Sequence, residues 1–138
     1  MADITPANVV PSAAATLVHG RKAASPITAG QPLYKTAAGT MAPADANGIS
    51  PLCVVEGIAV NSAIAGQPVS YVTSDPALAI AASGLLPGKI YVASATPGGI
   101  APVEDVANGW FVTSLGVAIS ATTLKMSLQA SGVVAALT

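Results

Sequence analysis

The chain has 138 residues, of which 52% are hydrophobic and only 8% are charged. Five basic and six acidic residues give a formal net charge of −1, so no basic surface is available for nucleic acid or for an anionic membrane. Ordinary soluble domains have about a quarter of their residues charged, and a surface this poor in charge predicts a protein that is covered by protein neighbours in an assembly.

Neither a membrane helix nor an export signal is predicted. Gly, Pro or Ser interrupts each apolar stretch before it reaches the ~18 residues that a spanning helix requires. The start, Met1-Ala2-Asp3-Ile4, lacks the basic segment and hydrophobic block of a secretory signal. The single cysteine, Cys53, excludes an intramolecular disulfide and is typical of a protein that folds in a reducing cytoplasm.

Residues 1–25 are predicted to form an extended N-terminal arm, because they show neither sustained strand alternation nor a capped helix. The arm is either a frayed or locally packed terminus of its own chain, or it orders against a neighbouring subunit, by adding a strand or by lying in a groove. For the second case the candidate contacts are Ile4, Val9, Val10, Leu17, Val18 and Arg21. We expect a chain that lacks residues 1–20 to fold and to assemble less well.

Residues 26–138 are predicted to form a β domain, because 13 Gly and 11 Pro recur at short intervals along the chain and leave room for strands and turns. The clearest strand is 123–128, where Leu124, Met126 and Leu128 alternate with polar residues. Ala77 to Ala82 is either a strand or a helical turn. Further strands are predicted at Leu33 to Lys35, Cys53 to Val60, Val69 to Thr73, Ile90 to Ser94 and Trp110 to Ile119.

The β domain also contains an internal sequence repeat. The segment that ends in Tyr34 recurs loosely 57 residues later at Tyr91, and the segment that begins at Gly57 recurs 59 residues later at Gly116. Two similar halves, about 26–80 and 81–138, are therefore predicted. The fold class is all-β: a compact β-barrel or sandwich of short strands, built as one unit or as two similar β units, with the extended arm at its N-terminus.

No catalytic, cofactor or metal site is predicted, since catalysis needs titratable groups that can converge. The single histidine, His19, lies in the arm, and no Gly-x-Ser-x-Gly elbow is present. Glu104 and Asp105 are adjacent but are not part of a calcium-binding loop. We therefore expect this protein not to be an enzyme.

Trp110 and Phe111, the only Trp and the only Phe, directly follow the turn dipeptide Asn108-Gly109. On a strand the two rings point to opposite faces, so that one can anchor the core while the other is half-exposed or meets a partner. Both are candidate assembly contacts. An alternative is a small carbohydrate-binding module that uses Trp110 together with Tyr71 or Tyr91.

The order of several segments carries a resemblance to a known family. The segments are Ser25 to Tyr34, Val55 to Ala63, Ala65 to Val69, Leu86 to Val92, Thr96 to Pro102, Gly109 to Ala118 and Thr122 to Lys125. Taken in this order, they resemble small capsid decoration (cement) proteins of tailed bacteriophages.

This resemblance implies a structural virion protein that is made in the host cytoplasm and binds the exterior of an assembled capsid. It implies stabilisation of that capsid by clamping neighbouring subunits of the major capsid protein. The chain would form a homo-oligomer, with a trimer favoured over a dimer. A phage tail, fibre or head-tail joining component is the alternative within the same class.

Overall fold

The computed structural model describes residues 9–45, 54–80, 84–96, 98–107 and 109–134, with side chains described as far as residue 129. Within these ranges the chain forms antiparallel β-strands, and its one helical element is a 3₁₀ turn at Val103–Asp105. The all-β prediction is confirmed. The strands are β1 Thr16–Lys22, β2 Pro32–Lys35, β3 Met41–Pro43, β4 Gly57–Ala59, β5 Pro68–Ser74, β6 Leu78–Ala79, β7 Ile90–Ala93, β8 Ile100–Pro102, β9 Phe111–Ala118 and β10 Thr123–Val134.

The strands form two five-stranded sheets with the same internal order. The first sheet has the order β1-β5-β4-β2-β3, and the second has the order β6-β10-β9-β7-β8. Adding five to each strand number of the first sheet gives the second, so each sheet is one copy of the same structural unit. One of the two sheets curves into a half-barrel. No helix within the described ranges is long and apolar enough to cross a membrane.

Strand register aligns the two units more closely than the sequence does. Leu33 pairs with Gly57 in the first sheet, and Tyr91 pairs with Gly116 in the second. Gly57 and Gly116 are therefore true counterparts. The counterpart of Tyr91 is Leu33 rather than Tyr34, so the loose match between the two tyrosines is displaced by one residue.

A shared turn leads into the aligned strands. Gly30 and Gly88 have φ angles of +94° and +85°, which glycine adopts without steric cost. The Gly30 N–H donates to the Ala59 carbonyl at 2.8 Å, and the Gly88 N–H donates to the Ala118 carbonyl at 2.7 Å. These equivalent hydrogen bonds explain why a glycine recurs just before the aligned strands in both halves of the sequence.

The two sheets stack on one another through a shared core. Ile58 and Val72 of the first sheet and Leu78, Tyr91 and Leu124 of the second sheet are among its buried members. The opposite face of the first sheet carries a second cluster, which includes Leu33, Met41, Ala59, Val69 and Tyr71 and is covered by Ala23, Ile27 and Ala63. Both faces of the first sheet thus carry buried residues.

Three parts of the strand prediction differ from the structure. Strand β1 lies inside the predicted arm, where bulges around Gly20 remove the alternation that would have indicated it. Strands β3 and β8 were missed because three residues are too few to show a period. The strand predicted from Cys53 to Val60 is formed only at Gly57–Ala59, and Cys53 lies outside the described residues.

Candidate assembly surface

The described part of the arm runs along its own chain. The Val9 side chain packs against the shared core. Val10 extends the edge of the second sheet, since its N–H donates to the Ala79 carbonyl at 2.9 Å and its carbonyl accepts from the Ala79 N–H at 3.2 Å. The Val10 side chain remains 56% exposed. Ile4, the remaining predicted contact near the start of the chain, lies outside the described residues.

A buried carboxylate holds the arm in this position. Asp75 lies between β5 and β6 and is fully buried. It accepts a bond from the Ser12 N–H at 2.8 Å, a second bond from the Ser12 hydroxyl, and a third from the Ala77 N–H at 2.9 Å. The Asp75 carbonyl also accepts from the Met126 N–H at 2.9 Å. One residue therefore connects the arm, the junction between the units and the long strand β10.

The charge on Asp75 is stabilised by these bonds. Burial alone would raise the pKa of the Asp75 carboxyl, but the bonds from Ser12 and Ala77 outweigh burial and leave that pKa below its ordinary value of 3.8. Asp75 is consequently ionised at neutral pH. Its partners satisfy both carboxylate oxygens, as a buried anion requires.

Strand β1 contributes both to the interior and to the surface. Leu17 packs against the shared core, and Val18 packs against the second cluster. Arg21 is exposed near the end of the strand. The predicted contacts Leu17 and Val18 thus lie on opposite faces of the first sheet, and Val10 and Arg21 are the predicted arm contacts that remain exposed.

Trp110 and Phe111 lie at one end of the second sheet. Trp110 closes a turn in which its N–H donates to the Ala107 carbonyl at 3.3 Å. Phe111 is the first residue of β9 and pairs with Val134 of β10. Both residues are half-buried, and neither belongs to a core cluster formed by the described side chains. Both therefore keep surface that a partner can contact.

The two tyrosines named for the carbohydrate alternative are buried. Tyr71 is 3% exposed and Tyr91 is fully buried, so neither ring offers a face to a ligand. The Tyr91 hydroxyl instead accepts from the Leu86 N–H at 3.0 Å. The partners that the carbohydrate alternative required for Trp110 are thus part of the protein interior.

Apart from Asp75 and the buried tyrosines, the titratable side chains of the described residues are scattered and do not converge on one site. His19 Nδ1 lies 2.9 Å from the Ser70 hydroxyl in an exposed contact between neighbouring strands. Glu104 pairs with Lys89 at 2.5 Å between Oε2 and Nζ, and this bond lowers the pKa of the Glu104 carboxyl. Within the ranges that the structure describes, no three His, Cys, Asp or Glu residues form a group that could hold a metal ion.

Apolar side chains are exposed on one side of the second sheet, which we call the outer face. Ile90 of β7 pairs with Val117 of β9, which pairs with Lys125 of β10. Ile90 and Val117 are 42% and 37% exposed. Val103 and Ile119 are 40% and 51% exposed, whereas Val92, on the same side of β7 as Ile90, is buried. Exposed apolar side chains such as these are candidates for contact with a partner.

Sequence reasoning missed Asp75 and the outer face for different reasons. The Asp75-Pro76-Ala77 segment predicts a local turn in which the Asp75 carboxylate accepts from the Ala77 N–H. The same carboxylate also binds Ser12, 63 residues away, and no sequence pattern shows that pairing. In sequence, the strands that contain Ile90 and Val117 look like ordinary half-buried strands. Only the structure shows that these two side chains remain 42% and 37% exposed.

No protein-family model matches this chain, and no curated protein shows significant sequence similarity to it.

Proposed function

We propose that this chain is a structural virion protein that binds the outer surface of an assembled phage capsid. It stabilises the capsid by clamping neighbouring subunits of the major capsid protein. The protein is made in the host cytoplasm and acts on the virion exterior. The proposal gives it no catalytic role and no cofactor.

The observation that carries the proposal is an apolar, weakly charged exterior on a small β protein. Only 8% of the residues are charged, while large hydrophobic side chains such as Val10, Ile64 and Ile119 are more than half exposed. A free monomer with this surface would tend to associate. A protein placed between other subunits keeps little free surface, so it needs few charges.

The clamp acts by mass action. A protein that binds the assembled shell and not its separated subunits stabilises the shell, because disassembly must also break its contacts. Many copies on one particle add their contributions, and multivalent attachment strengthens weak individual contacts. Val10 and Arg21, which are exposed, and Trp110 and Phe111, which are half-buried, are our candidates for contact with the capsid.

The test is addition of purified chain to mature heads that lack it. We expect saturable binding with a fixed number of copies per head and a higher temperature of head disruption, measured by sedimentation and by calorimetry. Dissociated capsid subunits serve as the matched control, and we expect no binding to them.

Heads that neither bind the chain nor gain thermal stability would contradict the proposal. Binding confined to tails would contradict it as well, and it would favour the tail, fibre or joining alternative.

A further inference from the structure

The turn that leads into β2 occurs a second time before β5. We call residues 28–31 the β2 turn and residues 64–67 the β5 turn. Ile27 and Ala63, which precede the two turns and lie 36 positions apart, exchange both of their backbone hydrogen bonds, at 2.8 and 3.0 Å. The two turns therefore start side by side and run in opposite directions.

The same offset of 36 positions relates the backbone bonds on either side of this link. The Gly30 N–H donates to the Ala59 carbonyl, and the Gly66 N–H donates to the Ala23 carbonyl, both at 2.8 Å. Gly66 has a φ of +84°, close to the +94° of Gly30. A local twofold axis between the turns thus exchanges one set of bonds with the other.

A glutamine side chain closes each turn in the same way. In the β2 turn, Gln31 Oε1 accepts from the Thr28 N–H at 2.9 Å, and the Gln31 N–H donates to the Thr28 carbonyl at 3.2 Å. In the β5 turn, Gln67 and Ile64 form the same two bonds, at 3.2 and 3.0 Å. Ile64 therefore has the same part in the β5 turn that Thr28 has in the β2 turn.

The two turns have opposite environments. The second sheet reaches the β2 turn through Gly98, where a Cβ would lie 2.6 Å from Gln31 Nε2. Pro32, the residue that follows this turn, is buried. Every residue of the β5 turn is exposed, as is Pro68 after it, and the Ile64 side chain is 62% exposed. The chain thus covers one copy of the turn with its own second unit and leaves the other copy exposed.

The fold does not require an isoleucine in the exposed copy. The counterpart Thr28 makes the same bonds with a small polar side chain, and Ile64 belongs to no core cluster of the described residues. A large apolar side chain on a turn that is already held in place loses little freedom on binding. Such a side chain suits the apolar anchor of an interface, which fills a pocket of the partner.

A cation lies beside the β5 turn. Lys22 of β1 pairs with Pro68 and is exposed, and it forms no ion pair with another described residue. Gln67 uses its side-chain oxygen inside the turn, so its amide nitrogen is the group left to bind a partner. Both groups are hydrogen-bond donors. The surface around Ile64 therefore suits an aliphatic pocket bordered by a carboxylate.

A second copy of this chain offers few carboxylates for such a contact. Glu104 is in an ion pair, Asp75 is buried, and Asp45 and Asp105 are engaged in contacts within the chain. Among the described carboxylates this leaves Glu56. The complementary surface is therefore expected on a different protein.

We infer that Ile64 of the β5 turn inserts into an aliphatic pocket on a major capsid subunit, with Lys22 facing a carboxylate at the edge of that pocket. The inference rests on the proposed capsid role. It adds a contact that the sequence alone did not single out.

The experiment measures binding of the purified full chain to mature heads that lack it, by co-sedimentation over a concentration series. Ile64→Thr introduces the residue of the β2 turn, so we expect the variant to melt within about 2 °C of wild type. Its dissociation constant for heads should rise about tenfold or more, because an isoleucine side chain would no longer be buried in the partner. Lys22→Gln should weaken binding less and should make binding less sensitive to salt.

Ile119→Thr is the matched control. It makes the same substitution at a side chain of the second unit that is 51% exposed, and it should leave the dissociation constant within about twofold of wild type. Ile64→Val is a further variant that keeps an apolar side chain on the turn. We expect it to retain most of the binding.

Equal binding of wild type and Ile64→Thr to heads, or equal weakening by Ile64→Thr and Ile119→Thr, would overturn the inference and leave the proposed capsid role intact. A clearly lower melting temperature of Ile64→Thr would overturn it too, since the isoleucine would then serve the fold. Heads that do not bind the wild-type chain would contradict the proposed function itself, and the inference with it.

Discussion

Asp75 shows how one side chain can connect distant parts of this chain. Its carboxylate is buried and accepts bonds from Ser12 in the arm and from Ala77 at the start of the second unit. Hydrogen bonds to an ionised group stabilise a fold by about 1.5–3 kcal/mol each, and they are costly to leave unmade. The arm is consequently held to the body of the protein by a charged contact at the junction between the sheets.

We predict that Asp75→Asn lowers the free energy of unfolding by about 1–2 kcal/mol at pH 7, because the amide cannot accept every bond that the carboxylate accepts. The depressed pKa of Asp75 fixes the pH dependence. A carboxyl whose pKa is lower in the folded state stabilises the fold above its unfolded pKa, and it loses that contribution as the pH falls through its folded pKa. In urea titrations the two proteins should therefore differ most at neutral pH, and the difference should begin to shrink below about pH 4, near the unfolded pKa, as the pH falls toward the lower folded pKa.

The control for this prediction is Glu104→Gln. Glu104 is an exposed partner in a surface ion pair, and such pairs contribute little to stability. Equal stability of wild type and Asp75→Asn at pH 7, or a difference that widens in acid, would contradict the role given to Asp75.

Gly57 and Gly116 occupy equivalent positions in the two units, and at both positions the neighbouring strand leaves no room for a side chain. A Cβ at Gly57 would lie 2.6 Å from the Val72 carbonyl oxygen, and a Cβ at Gly116 would overlap the Lys125 carbonyl oxygen. We predict that Gly57→Ala and Gly116→Ala each destabilise the protein by about 2–3 kcal/mol, measured by thermal unfolding. Ser127→Ala, at an exposed position of β10, should remain within about 0.5 kcal/mol of wild type. Wild-type stability of either glycine variant would contradict the close approach.

At the level of elements, the sequence could predict those strands in which apolar and polar side chains alternate. Leu124 and Met126 are buried on one face of β10 while Lys125 and Ser127 are exposed, as their pattern indicated. Strand β1 was not predictable, because His19, Gly20 and Arg21 interrupt its apolar residues and a bulge shifts its register. The sequence predicted Leu17 and Val18 as contacts of the arm, but it did not predict that they pack on opposite faces of the first sheet.

Strand β1 changes the expectation for a shortened chain. Deletion of residues 1–20 would remove most of Thr16–Lys22, together with Leu17 and Val18, which pack against the two cores. We now predict that this deletion unfolds the protein or lowers its melting temperature by more than about 10 °C, as expected for a loss of several kcal/mol. Circular dichroism during heating measures this.

A deletion of residues 1–8 is the comparison, and it leaves every described contact in place. We expect it to melt close to the full chain. If the chain lacking residues 1–20 also melted within about 2 °C of the full chain, β1 would not be an integral part of the first sheet.

At the scale of the whole molecule, two units share one core. Ile58 and Val72 from the first sheet and Leu115 and Leu124 from the second sheet are buried together, so neither sheet can lose its partner without exposing apolar surface. The sequence indicated the duplication through its recurring glycines. The direction of stacking, which buries Ile58 and leaves its counterpart Val117 exposed, depends on contacts between residues far apart in the chain.

The shared core predicts one cooperative unfolding transition. Trp110 is the only tryptophan and reports on the second sheet, while far-ultraviolet circular dichroism reports on both sheets. We expect the two signals to follow one denaturant curve, as in a two-state transition. Val72→Ala in the first sheet and Leu124→Ala in the second should shift that single curve by about 1–5 kcal/mol. Separate transitions for the two signals would show that the sheets fold independently.

The central claim is that protein neighbours on a virion shelter this weakly charged surface. An electron cryo-microscopy reconstruction of a native particle that contains the chain tests it most directly. We predict density for the two stacked sheets on the outside of the head, in contact with adjacent major capsid subunits. Density for the chain only on the tail, or a head exterior without it, would contradict the account.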